Sequence, residues 1–150
     1  MAEAYIIDAI RTPLGRRNGA LSGVRSDELA AITLKSIVER TGIDAGEIED
    51  VVMGCVTQVH EQGLNVARNA SLIAGFPVDV TGTSVNRLCG SSQQALNFAA
   101  MGVASGHQDL VIAAGVESMT RVPMGSDMFL NGEMVTPADA MAWNLSLIHI

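Results

Sequence analysis

The sequence predicts an α/β fold with a mainly parallel sheet. Short β-rich apolar runs alternate with helical patterns as far as Gly115, and glycines punctuate the helix ends. Hydrophobic residues make up 48% of the chain and charged residues 17%, a globular balance rather than a disordered one. At 150 residues the chain is long enough for one domain with its own core.

Residues 4–10 (AYIIDAI) read as a short buried strand, ended by Arg11-Thr12-Pro13 and a loop marked by Gly15, Asn18, Gly19 and Gly23. Ser26 is placed to cap a helix, with Asp27 and Glu28 in its first turn. The stripe Leu29, Ile32, Thr33, Ser36, Ile37 and Arg40, widened by Leu34 and Val38, gives that helix its packed face, and Gly42 stops it. An acidic connector over 44–50 leads to a second strand within 50–59. A short helix over 65–74 ends at Gly75, a third strand covers 80–85, a helix covers 91–105 before Gly106, and a fourth strand covers 109–114 before Gly115. In the helix over 91–105, Ala95, Leu96, Phe98, Ala99, Ala100, Met101, Val103 and Ala104 cover nearly every face. Such a helix requires packing on two sides, from further chain or from a partner subunit. Beyond Gly115 the pattern weakens into a Gly-, Pro- and Met-containing excursion from the sheet.

The net charge of −7 and the 3% aromatic content leave no basic or stacking footprint for nucleic acid, and no partner of that kind is expected. No apolar run is long enough for a membrane span, and no basic leader precedes an apolar stretch at the start of the chain. The two cysteines lack metal-ligand spacing and read as reduced thiols in cytoplasm; no metal is expected. Arg11, Arg16, Arg17 and Arg25 form the one basic cluster, either a patch for a polyanionic ligand or a solvated loop.

The segment 80–105 places Cys89 in a turn between a strand and a helix N-terminus. Unpaired amides and the helix dipole favour an anion there, and the thiolate is the nucleophilic form of cysteine. Gly90 allows close approach to the backbone, Ser91 and Ser92 can cap neighbouring amides, and backbone N–H groups can serve as oxyanion donors. The site lies at the carboxyl end of a strand, where α/β sheets carry ligands. The competing reading is a buried structural thiol.

The stretch 85–95 (VNRLCGSSQQA) resembles the acyl-enzyme motif of thiolases. Three further stretches agree in order: 9–15 (AIRTPLG), 65–68 (NVAR) and 114–121 (AGVESMTR). One departure is Ser92, where many thiolases carry glycine, which bears on acyl-chain preference. The resemblance implies the layered αβαβα fold of two similar halves. On that basis residues 1–117 form an incomplete N-terminal domain and 118–144 begin a loop subdomain. It also implies reversible thiolysis of 3-ketoacyl-CoA through an acyl-Cys89 thioester, with the Cys89 backbone N–H as an oxyanion donor and Gly90 and Ser91 supporting the turn. Coenzyme A and acyl-CoA would be substrates, with no permanently bound cofactor, and the full-length protein would be a homodimer or homotetramer. A ketoacyl-synthase-like condensing enzyme and a non-catalytic acyl-CoA-binding protein are the alternatives.

The family's activating His, second reactive Cys and water-holding Asn lie downstream of this segment, so the chain alone is expected to be inactive. His60 and His107 read as surface or capping residues, and Cys55 as a core thiol. Glu117 reads as a strand-end carboxylate bonded to loop amides. The 119–134 methionines line a pocket or fill a loop, and Arg68 anchors a loop, a dimer contact or a surface acid. Residues 145–150 (LSLIHI) match the peptide encoded by one frame of a common transposon-end sequencing adapter. They are expected to be read-through, the alternative being an apolar strand.

Overall fold

The computed structural model describes residues 3–135. The 136–144 part of the expected loop subdomain and the adapter-like 145–150 lie outside the described residues. The elements in chain order are α1 (Ser26–Thr41), β1 (Asp50–Gly54), α2 (Val66–Ile73), β2 (Thr81–Val85), α3 (Ser91–Ala104), β3 (Val111–Gly115) and a small antiparallel pair, β4 (Phe129–Leu130) and β5 (Glu133–Met134). Asn131 and Gly132 turn that hairpin with φ +51 and +85, the pair of positive angles a tight two-residue turn needs.

The main sheet is parallel, in the order β2-β1-β3. Each parallel connection crosses by a helix, and such crossovers are right-handed. The first steps from β1 to β2; the second returns past β1 to β3. Opposite directions with one hand put α2 and α3 on opposite faces. Strand alternation agrees: Val51 and Met53 share one core with Ala30, Leu34, Val66 and Ala70, while Gly54 faces the first turn of α3.

That contact is unusually close. A Cβ on Gly54 would lie 2.7 Å from Ser92 Cα, and one on Gly115 would lie 2.9 Å from Ser92 Cβ. Gly54 and Gly115 are register partners on adjacent strands, so together they form a flat seat for the start of α3.

The helix ends follow the sequence. Gly42, Gly75 and Gly106 take φ of +72, +84 and +73, and the Gly42 N–H donates to Val38 O at 2.9 Å. Three expectations change. Residues 4–10 form no strand: Tyr5, Ile6 and Ile7 are 76%, 73% and 73% exposed, because no described strand offers their backbone a ladder. Ser26 does not cap α1. It is the first helical residue, fully buried, and its N–H and Oγ both donate to Glu61 Oε1, at 2.9 and 3.1 Å. The packed face of α1 runs through Ala30, Ala31 and Leu34 instead of Ile32, because alanines let α1 approach the core closely. Helix α3 buries Ser91, Gln94, Ala95 and Ala99 and leaves Leu96, Phe98 and Met101 exposed, the side for which its sequence calls for packing from further chain or a partner subunit.

Gly54→Ala in the full-length protein is expected to destabilise it by about 1–3 kcal/mol, the usual range for overpacking against backbone. Gly23→Ala, where a Cβ meets nothing within 4 Å, is expected to change little. Thermal unfolding of the two variants side by side checks this.

Candidate active site

Because the three strands run the same way, their carboxyl ends share one edge. The loops that leave them converge on a cavity of about 640 Å³, a size suited to a small-molecule ligand. Cys55, Val56 and Thr57 come from β1, Asn86, Leu88 and Cys89 from β2, and Val116, Glu117 and Met119 from β3. Met124 and Met128 complete an adaptable thioether wall. A second groove, of about 700 Å³, lies between residues 10–17, α1 and β3. Arg11, Arg16 and Arg17 border it, and it holds no cysteine, so the carboxyl-edge cavity is the better candidate for nucleophilic chemistry.

Cys89 is a free, exposed thiol on the turn into α3. The Gly90 N–H donates to Arg87 O and the Ser91 N–H to Leu88 O, both at 3.0 Å. Ser91 Oγ donates to Leu88 O at 2.6 Å and accepts from the Arg87 N–H at 2.9 Å. Buried Ser91 therefore braces the turn from beneath, and the Gly90 and Ser91 amides are already engaged within it. Leu88 sits at φ +47, a left-handed conformation that is uncommon for a side chain of this size.

Glu117 forms the base of the opposite wall. Its carboxylate accepts from the Val56 N–H at 2.7 Å, the Thr57 N–H at 3.3 Å and Gln62 Nε2 at 2.9 Å. Fully buried Gln62 also donates to Thr57 O at 2.9 Å and accepts from the Ser118 N–H at 2.8 Å. The Cys55 thiol points at Glu117 Oε2 from 3.8 Å. Burial first, then the neighbouring carboxylate, pushes the Cys55 thiol up to about 12, which keeps it protonated and inert at neutral pH.

A second carboxylate fixes the segment leading to Met119 and Met124. Glu61 takes a two-point ion pair from Arg121, at 2.6 and 3.0 Å, and accepts from Ser26 as well. Arg121 Nη1 donates to Ser22 O at 3.2 Å, so this cluster joins α1, the post-β1 loop and the post-β3 loop. The Arg121 bond, helped by Ser26 and by the charge of Arg121, outweighs burial and holds the Glu61 carboxyl down at about 2.

Residues 4–145 match the family model described as thiolase, N-terminal domain. The chain belongs to the thiolase family. It is 56% identical over 124 residues to a beta-ketoadipyl-CoA thiolase of Escherichia coli, covering 82% of this chain and 31% of that protein. It is 44% identical over 128 residues to the steroid 3-ketoacyl-CoA thiolase FadA6 of Mycobacterium tuberculosis, covering 85% and 31%. The crystal structure of the Bacillus anthracis acetyl-CoA acetyltransferase superposes with a TM-score of 0.78 at 36% identity, over 89% of this chain and 35% of that one. The chain thus spans about a third of the length of the relatives it matches, and its fold is the α/β, thiolase-like one expected.

Within this thiolase segment, Cys89, Gly90 and Ser91 lie together on the turn as the sequence placed them. Arg68 anchors a loop, donating to Val78 O at 2.8 Å and to Val80 O. His60 and His107 are exposed and neither lines the cavity. Arg25 pairs with Asp27 at 2.8 Å and does not border the groove lined by Arg11, Arg16 and Arg17. Sequence reasoning missed Gln62, Glu61 and Asn86. Only Asn86 carried a signal: an Asn two residues ahead of a backbone amide in a turn can form an Asx-turn.

The Glu61 carboxyl, ordinarily near 4.5, is depressed in the folded state. Its contribution is therefore complete above about 4.5 and is lost as pH falls toward about 2. Glu61→Gln is expected to lower the thermal midpoint at neutral pH and to flatten its decline across that acid window. Thermal melts of the full-length protein as a function of pH read both effects.

Proposed function

We propose that this chain is the nucleophile-bearing N-terminal part of a thiolase-type acyltransferase that cleaves 3-ketoacyl-CoA, or condenses acetyl-CoA, through an acyl-Cys89 thioester. The observation that carries the reading is the convergence of all three carboxyl-edge loops on one cavity that presents an exposed thiol at the start of α3. The other cysteine, Cys55, is buried against a carboxylate and unfit for attack.

In the cleavage direction the Cys89 thiolate adds to the 3-keto carbon. Its thiol proton passes to a base, and the Cys89 backbone N–H stabilises the oxyanion. Collapse breaks the bond between C2 and C3; the electron pair leaves on C2, which takes up a proton and departs as acetyl-CoA. The acyl group remains on Cys89 as a thioester. The thiolate of a second coenzyme A then attacks that carbonyl and restores Cys89. Covalent catalysis divides one difficult exchange into two easier steps. The Met119, Met124 and Met128 wall suits an apolar acyl portion. No histidine lines the cavity among the described residues. In this reading the base is supplied by the rest of the full-length enzyme, and the 150-residue chain alone is expected to be inactive.

The reading extends to a division of the chain at residue 117, after which a loop subdomain begins, and to a cytoplasmic homo-oligomer with coenzyme A and acyl-CoA as substrates and no permanent cofactor. The free thiols and the open apolar flank of α3 support it. The match to thiolases favours thiolysis over the ketoacyl-synthase and non-catalytic alternatives.

Full-length enzyme incubated with acetyl-CoA is expected to gain one acetyl group, located on the Cys89 peptide by mass spectrometry. Cys89→Ala is expected to lose the adduct and at least about a thousandfold in kcat, in line with removal of a covalent nucleophile. Acetylation on another residue, or full turnover by the alanine variant, overturns the assignment.

A further inference from the structure

The Cys89 turn depends on a residue that never touches the thiol. Leu88 lies at φ +47, and its backbone angles set the direction in which Cys89 projects. Both polar groups of Leu88 are tied. Its carbonyl accepts from Ser91, and its N–H donates to Asn86 Oδ1 at 2.9 Å. The other end of the same amide, Asn86 Nδ2, donates to Val56 O at 2.9 Å. Val56 belongs to the loop whose N–H groups are pinned by the Glu117 carboxylate. A continuous set of bonds therefore runs from Glu117 through Val56 and Asn86 to Leu88, linking the loops after all three strands. Asn86 is exposed and bears no part of the core, so these two bonds are what its side chain contributes.

We infer that Asn86 is a positioning residue for Cys89, its amide holding Leu88 left-handed and locking the nucleophile turn to the loop after β1. The inference rests on the reading of Cys89 as the nucleophile. Aspartate keeps the acceptor for Leu88 but loses the donor to Val56 and faces a carbonyl with a negative charge. Serine can still accept from the N–H two residues on but cannot span to Val56. Alanine loses both bonds.

The test uses full-length enzyme with Asn86→Ala and Asn86→Ser. Three readouts are taken at neutral pH: the rate of iodoacetamide alkylation at Cys89, followed by peptide mass mapping; kcat and KM for acyl-CoA; and the thermal midpoint. Asn86→Ala is expected to slow Cys89 alkylation and lower kcat by about tenfold to a hundredfold, the scale of a misplaced reacting group. KM and the thermal midpoint are expected to stay near wild type, with Asn86→Ser intermediate. Wild-type alkylation and kcat in Asn86→Ala overturn the inference alone. Losses in both variants that follow a fall in thermal midpoint also overturn it, since they mark a structural role. Wild-type Cys89 that resists alkylation overturns the nucleophile reading, and this inference with it.

Discussion

The contact on which the rest depends is the seat that Gly54 and Gly115 make for the first turn of α3. Helix–sheet packing normally keeps side chains between the layers. Here two strands present no side chain at register-matched positions; the Ser91–Ser92 backbone drops onto Gly54, and the Ser92 side chain sits against Gly115. The consequence is geometric. A helix held that low at its N-terminus brings the preceding turn level with the carboxyl ends of β1 and β3, where the 55–57 and 116–119 segments also emerge. Without the seat, α3 would stand off the sheet by at least a methyl group, and the three loops would not enclose one cavity.

The same edge explains the different states of the two cysteines. The loop after β1 turns inward, leaving the Val56 and Thr57 amides without a strand partner. Buried amides need acceptors, and Glu117, delivered from the end of β3, supplies one for both while Gln62 fills its remaining valence. A carboxylate in that position makes thiolate formation at Cys55 unfavourable. Cys89 stands across the cavity, exposed, on the turn into α3. Two thiols lining one cavity are thus set apart by their surroundings, Cys55 being buried against a carboxylate and Cys89 exposed.

Much of this was legible in the sequence. The helix terminators Gly42, Gly75 and Gly106 act through their own lack of a Cβ, which is a local property, and each was placed correctly. The strand–turn–helix around Cys89 and the loop-binding role of Glu117 were legible for the same reason. What failed was non-local. The apolar run 4–10 looks like a strand on its own, but a strand exists only with a neighbour for its backbone groups. Ser26 has the chemistry of a cap, yet Glu61, from the turn after β1, reaches its amide and makes a cap unnecessary. The face of α1 was misjudged because hydrophobicity favoured Ile32, whereas close approach favoured Ala30 and Ala31. Gln62 carried no periodicity at all; only the meeting of the 57, 117 and 118 backbones gives it a purpose.

Backbone strain follows the same division of the molecule. Leu64 and Leu88 take φ of +50 and +47 without the tolerance that Asn or Gly would bring, and His60, which enters this region more readily than leucine, takes +52. All three lie in connections leaving the carboxyl edge, between β1 and α2 or between β2 and α3. The opposite edge of the sheet has no such residue among those described. Strained conformations persist only where surrounding bonds over-determine them. Leu88 meets that condition, its N–H and carbonyl both held and the turn braced by Ser91. An unstrained turn would be satisfied by its own sequence and could relax independently of its neighbours. This one is held by groups delivered from β1 and β2 and by the start of α3. The direction of the Cys89 side chain is therefore a property of the whole carboxyl edge.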